Sequence, residues 1–92
     1  MRMAPRYRQN PNVAFRVIEG KAVLIVPETA EIKGLNETGT FVWSLLQAPK
    51  SLEEIALAIA ARFEVETAQA LGDATAFLAE MQKKGLVLAE EG

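Results

Sequence analysis

The hydrophobic period of this chain changes once, at Gly34, and that change constrains the fold more than any other feature. Before it, apolar residues recur at every second position; after it, they recur about every 3.6. A chain that is strand-forming first and helical afterwards does not build the alternating strand and helix units of a parallel sheet. It points to the α+β class, with an N-terminal three-stranded antiparallel sheet followed by three helices. Ninety-two residues, half of them apolar, suit one thin core that buries roughly 60–65% of the unfolded surface.

Val13, Phe15 and Val17 alternate along the first expected strand, and Glu19-Gly20 separates them from the β-rich run Lys21-Ala22-Val23-Leu24-Ile25-Val26. A two-residue turn at Glu19-Gly20 sets Phe15 across from Leu24 and Val17 across from Ala22, giving the hairpin one apolar face. Pro27 lacks the N–H that a continuing ladder needs. The shorter alternation Thr29-Ala30-Glu31-Ile32-Lys33-Gly34 then reads as a third strand at the sheet edge. Its charged members, Glu31 and Lys33, are expected to point away from the core.

Asn36 is placed to cap a first helix whose apolar stripe is Phe41, Val42, Leu45 and Leu46. Trp43 lies off that stripe, either sealing the sheet–helix junction or flooring a pocket. Pro49 breaks the helix, and Ser51-Leu52-Glu53-Glu54 has the spacing of a capping box at the start of a second. There Leu52, Ile55, Ala56, Ile59, Ala60 and Phe63 fall on one face. Thr67 is the expected cap of a third helix with inner positions Ala70, Leu71, Ala74, Phe77, Leu78 and Met81, and Gly85 is its left-handed stop. Leu86-Val87-Leu88 has the character of a short final strand. The division expected from composition is a flexible basic arm over 1–12, one domain over 13–89 and an acidic tail over 90–92.

The net charge of −2 is unevenly spread: six basic and three acidic residues lie in 1–33, four basic and nine acidic in 34–92. There is no Cys and no His, so disulfides, thiolate metal sites and imidazole bases are excluded. Ser44 falls within a helix and Ser51 at a cap, neither beside a base, and no glycine spacing suits a phosphate loop or another cofactor motif. The residues therefore imply a non-catalytic protein with no cofactor. No run reaches the ~18–20 apolar residues of a membrane span, and the N-terminus lacks the apolar stretch of a secretory signal. A soluble, unprocessed cytoplasmic protein is the expectation.

Several segments stand in a familiar order: Glu19-Gly20 in the hairpin, Gly34-Leu35-Asn36-Glu37-Thr38-Gly39 leading to Val42-Trp43, Ser51-Leu52-Glu53-Glu54-Ile55-Ala56, Asp73 ahead of Phe77-Leu78, and Gly85-Leu86. In this order they resemble the PqqD-like family over residues 11–88. The resemblance implies a winged-helix-like fold. It also implies a recognition element that binds the leader segment of a ribosomally made precursor peptide and presents it to a modifying enzyme, often a radical SAM protein. In that family the leader adds as a strand beside the third β-strand and lies against the third helix. Carried onto this sequence, the expected contacts are Ala30, Glu31, Ile32, Lys33, Gly34 and Leu35 on the strand, with Ala70, Asp73, Ala74, Phe77 and Met81 on the helix.

Two other readings compete. The second and third helices outline a helix-turn-helix, which would suit a winged-helix DNA-binding module, but the third helix offers Gln69, Asp73 and Glu80 where phosphate neutralisation needs a basic footprint. An open edge strand also pairs readily with its own copy, so a homodimerisation module is the third reading. Among the named residues, Asn36 and Glu37 are accounted for by helix capping. Asp73 suits either a cationic peptide side chain or plain solvation.

Overall fold

The computed structural model describes residues 4–91. In chain order the elements are β1 Pro5–Gln9, β2 Phe15–Ile18, β3 Lys21–Ile25, β4 Ile32–Gly34, α1 Glu37–Leu45, β5 Lys50–Ser51, α2 Leu52–Phe63, α3 Thr67–Lys83 and β6 Val87–Glu91. The strands form two antiparallel sheets, ordered β2-β3-β4 and β5-β1-β6. The α+β class and the antiparallel sheet ahead of the helices are as the period change implies.

The hairpin has the expected register, with Phe15 opposite Leu24 and Val17 opposite Ala22. Glu19 and Gly20 take φ of 52° and 81°, the double left-handed conformation of a turn whose twist matches the flanking strands. Its apolar face is buried only along β3: Ala22 and Leu24 are inaccessible, whereas Phe15 and Val17 on the edge strand stay 43% and 55% exposed. Phe15 overhangs the core and meets Trp43 edge to face, ring centroids 5.3 Å apart. Trp43 is itself 2% exposed, so it seals the junction between sheet and helix.

Asn36 caps α1 by accepting the Gly39 N–H at 2.8 Å. The capping box of α2 is complete: Ser51 Oγ accepts the Glu54 N–H at 3.1 Å, and Glu54 Oε1 accepts the Ser51 N–H at 2.8 Å. That second bond is the main reason the Glu54 carboxyl titrates below the ordinary glutamate range. Helix α3 differs from expectation at its start. Thr67 already belongs to the helix, Glu66 is the capping residue, and no side chain caps it. Helices α2 and α3 pack together through Ile55, Ala56 and Ile59 on one side and Ala70, Ala74, Leu78 and Met81 on the other, all buried. Gly85, with φ of 74°, turns the chain from α3 into β6.

The N-terminal segment is the main departure. The sequence reading expects a flexible arm over 1–12; Met1 to Met3, Arg2 among them, lie outside the described residues, as does Gly92 of the expected tail. Pro5–Gln9 is the middle strand of the second sheet, with β6 on one side and β5 on the other. Gln9 N–H donates to Leu46 O at 2.9 Å and its side-chain amide to Trp43 O at 2.8 Å, while Asn10 bonds Leu86 O and Gly85 O. The basic front and the acidic back of the sequence are neighbours here: Arg6 pairs in register with Glu90, and Arg8 Nε is 3.1 Å from Glu90 Oε2. Opposite charges on adjacent strands favour the pairing, so the packed unit runs from β1 to β6.

Candidate functional site

β4 is an edge strand, bonded to β3 on one side only. Val26 N–H donates to Glu31 O and Leu35 N–H to Ala22 O, each at 2.8 Å, and Leu24 stands opposite Lys33. Antiparallel alternation therefore turns residues 31, 33 and 35 toward β3 and aims the N–H and C=O groups of Ile32 and Gly34 outward. Two residues thus present four unpaired backbone groups, the template on which a further strand pairs.

The side chains alternate across the same strand. Lys33, opposite Leu24, faces α3; its Nζ lies 2.9 Å from Glu80 Oε2. Lys84 Nζ lies 3.9 Å from Glu31 Oε1. These contacts correct the expectation that Glu31 and Lys33 point away from the body of the protein. Leu35, which shares the parity of Glu31 and Lys33, is buried, and the α3 side meets those two charges with charges of opposite sign, while Ile32, opposite Ile25, is left 71% exposed on the outer face. The hydrogen bond from Lys33 is the main cause that lowers the Glu80 carboxyl below its ordinary value.

Between β4 and α3 runs a groove made of connected hollows. One of about 230 Å³ lies among Lys33, Gly34, Leu35, Asn36, Phe77 and Glu80. It continues past the end of β4 into one of about 340 Å³, walled by the first turn of α1, by Val42 and Ile59 below, and by Asp73, Ala76 and Phe77 of α3. Asn36 and Phe77 line both. At the other end a third, of about 610 Å³, opens between the 26–31 turn and residues 80–85. Gly39 suits this shape, because a Cβ there would stand 3.1 Å from Phe77 Cε1 and 3.2 Å from Asn36 Oδ1 and would press both side chains outward by a few tenths of an ångström.

Of the residues the sequence proposes for binding, Glu31, Lys33, Gly34, Leu35, Asp73 and Phe77 line this groove, and Ile32 contributes outward backbone groups. Ala30, with φ of 60°, closes the turn into β4 through its N–H to Val26 O. Ala70, Ala74 and Met81 are completely buried between the helices and have no surface to offer a ligand. They belong to the face of α3 that packs on α2, about a fifth of a turn from the groove-facing Asp73, Phe77 and Glu80. Sequence reasoning leaves out Ala76, Glu80 and Lys84, and reads the Asn36 to Thr38 segment as helix start rather than groove wall. The spacing of Asp73, Phe77 and Glu80 at i, i+4 and i+7 is the signal that finds the groove face.

This site offers backbone pairing, an apolar floor and charged rims. Among the described residues no group of three or more acidic side chains is placed to hold a metal ion, and no helix is long and apolar enough to cross a membrane.

An open sheet edge beside a helix-walled groove is the kind of surface to which an extended peptide can add as a strand. The family described as Coenzyme PQQ synthesis protein D (PqqD) matches residues 21–87, and the chain belongs to it. The solved structure of TbiB1 in complex with the TbiA(β) leader peptide is 31% identical, with a TM-score of 0.78, covering 87% of this chain and 93% of that one. A lasso peptide synthetase B1 complexed with its leader peptide shares the fold at 23% identity and a TM-score of 0.77, over 89% of this chain and 96% of that one. So does the PqqD truncation of Methylobacterium extorquens PqqCD, described as a stand-alone recognition element for ribosomally synthesized, post-translationally modified peptides. It is 22% identical, with a TM-score of 0.73, over 90% of this chain and 88% of that one. No curated protein matches the chain significantly.

Proposed function

We propose that this protein is a non-catalytic recognition module that captures the leader segment of a ribosomally made precursor peptide. The leader adds as a strand along β4, packs against α3, and is presented to a tailoring enzyme such as a radical SAM protein. The observation that carries this reading is the free edge of β4, with its outward Ile32 and Gly34 groups beside the groove walled by Phe77. The likeness to TbiB1, solved with a leader peptide, supports it.

The energetics are adequate. Four backbone hydrogen bonds contribute roughly 4 kcal/mol and two buried apolar side chains roughly 3–6 kcal/mol, against several kcal/mol for ordering the peptide. A micromolar complex needs only about 8 kcal/mol. The exposed face of α3 carries Gln69, Asp73 and Glu80, which favours a peptide over the phosphate backbone of DNA.

Amide shift mapping by NMR with the leader of a precursor peptide encoded beside this protein tests the reading. Shifts concentrated in residues 30–39 and 73–84 are expected. Shifts confined to the outer sheet face around Ile18 and Ile25, or to β1, would overturn it.

A further inference from the structure

The hollow past the end of β4 has a composition the rest of the groove lacks. Its accessible apolar lining is the half-buried ring of Phe77 with Ala76 beside it, over the buried Val42 and Ile59, while Asp73 stands exposed on its rim. The charges nearest to it are partnered, Glu80 with Lys33 and Glu37 at the start of α1 with Arg62 at 3.6 Å, as is Glu31 with Lys84 further along. Glu28 and Lys83, without a salt bridge among the described residues, stand only at the far hollow. Among the described residues Asp73 has neither a salt bridge nor a side-chain hydrogen bond.

Resting on the peptide-capture reading above, we propose that Asp73 is a specificity-determining residue that selects a lysine or arginine of the bound peptide at this hollow. A long cationic side chain fits both halves of the site. Its methylene stem lies along the Phe77 ring and Ala76 while the charged head stays at the wet rim. The head meets the Asp73 carboxylate and passes near the face of Phe77, and both interactions favour a cation.

Two opposing features were weighed. The first turn of α1 faces the same hollow, and a helix N-terminus attracts anions with about half a unit charge. Asn36 already accepts the Gly39 N–H there, and an anionic peptide side chain would meet the full negative charge of Asp73, so the carboxylate decides the sign. Lys33, the nearest cation on the strand wall, lines the adjoining hollow and is held by Glu80. The preference for a cation is therefore confined to the Asp73 end.

The test is selection of a random peptide library against the full chain and against Asp73→Asn and Asp73→Lys, with the bound site of the winners mapped by amide shifts. Asp73 is exposed, so both variants keep the fold. Wild type is expected to enrich Lys or Arg at one fixed position beside an apolar residue, and Asp73→Asn to bind those winners about tenfold more weakly with their backbone register unchanged. Asp73→Lys should enrich Asp or Glu at the same position. Groove-binding winners whose residue at that position is apolar, and stays so in Asp73→Lys, overturn the charge selection and leave strand capture standing. Winners that map away from β4 and α3, or no winners at all, overturn both.

Discussion

Lys33 Nζ and Glu80 Oε2 lie 2.9 Å apart across the groove, so the free edge strand is tied by charge to the helix it faces. Both side chains keep substantial solvent contact, which caps the value of the pair at under about 1 kcal/mol. Its role is to hold β4 and α3 at a fixed spacing, with Phe77 between them as a wall.

That pair carries a pH signature. The folded state lowers the Glu80 pKa from 4.5, so the contribution is complete above the unfolded value and is lost as pH falls through the lowered folded value. Glu80→Gln should cost less than about 1 kcal/mol near neutral pH and nothing in strong acid, where both proteins carry a neutral side chain. Paired urea titrations at the two pH values check this, and an equal deficit at both would rule out the ionic origin.

Ile59 is 1% exposed, packed between the helices beneath the Asp73 hollow. Ile59→Ala should cost about 2–5 kcal/mol, a large part of the stability of a domain this small. A shift of the urea midpoint worth under about 1 kcal/mol would mean that this face is not the core.

The alternation of backbone groups along β4 separates folding from binding. Ile32→Pro removes an outward N–H, and should leave the far-ultraviolet circular dichroism unchanged while weakening a leader peptide at least about fivefold. Lys33→Pro removes a donor aimed at β3, and should lower stability itself. Equal loss of fold in both variants would show that β4 is not open on its outer edge.

How far these features are legible in sequence depends on how local their causes are. The Glu19-Gly20 turn and the Ser51 to Glu54 capping box lie within a few residues of their own signals, and both stand in the structure as read. The parity of β4 does not follow from its own alternation. Glu31-Ile32-Lys33 reads as charged-out and apolar-in, yet the buried Leu35 shares the parity of the two charges, and Glu80 and Lys84, about fifty residues away, meet them. On α3, small and apolar residues occupy both the α2-facing and the groove-facing sides. Periodicity therefore gives the helix without dividing Ala70, Ala74 and Met81 from Phe77. Strand β1 was the least legible, because nothing in Pro5-Arg6-Tyr7-Arg8-Gln9 announces a strand until Val87–Glu91 is laid against it.

That last relationship gives the sharpest test of the fold. If the N-terminal segment were a loose arm, deleting residues 1–10 would leave stability unchanged. In the structure the deletion takes the middle strand from the second sheet, leaving β5 and β6 without a shared partner. Leu46 O and Trp43 O at the end of α1 lose the donors that Gln9 supplies, and Leu86 O and Gly85 O lose those of Asn10. Tyr7, packed against the core cluster, is removed as well. Part of the lost bonding is replaced by water, so each hydrogen bond counts for about 1 kcal/mol rather than its gas-phase strength. Together with the uncovered apolar surface the expected loss is several kcal/mol, enough to populate the unfolded state of a domain this small at room temperature. Arg8→Ala alone removes only the exposed pair with Glu90 and should cost under about 1 kcal/mol. Thermal unfolding of the truncated and point variants together distinguishes the strand from its charges: a truncated protein that melts with the full chain would return the segment to an arm.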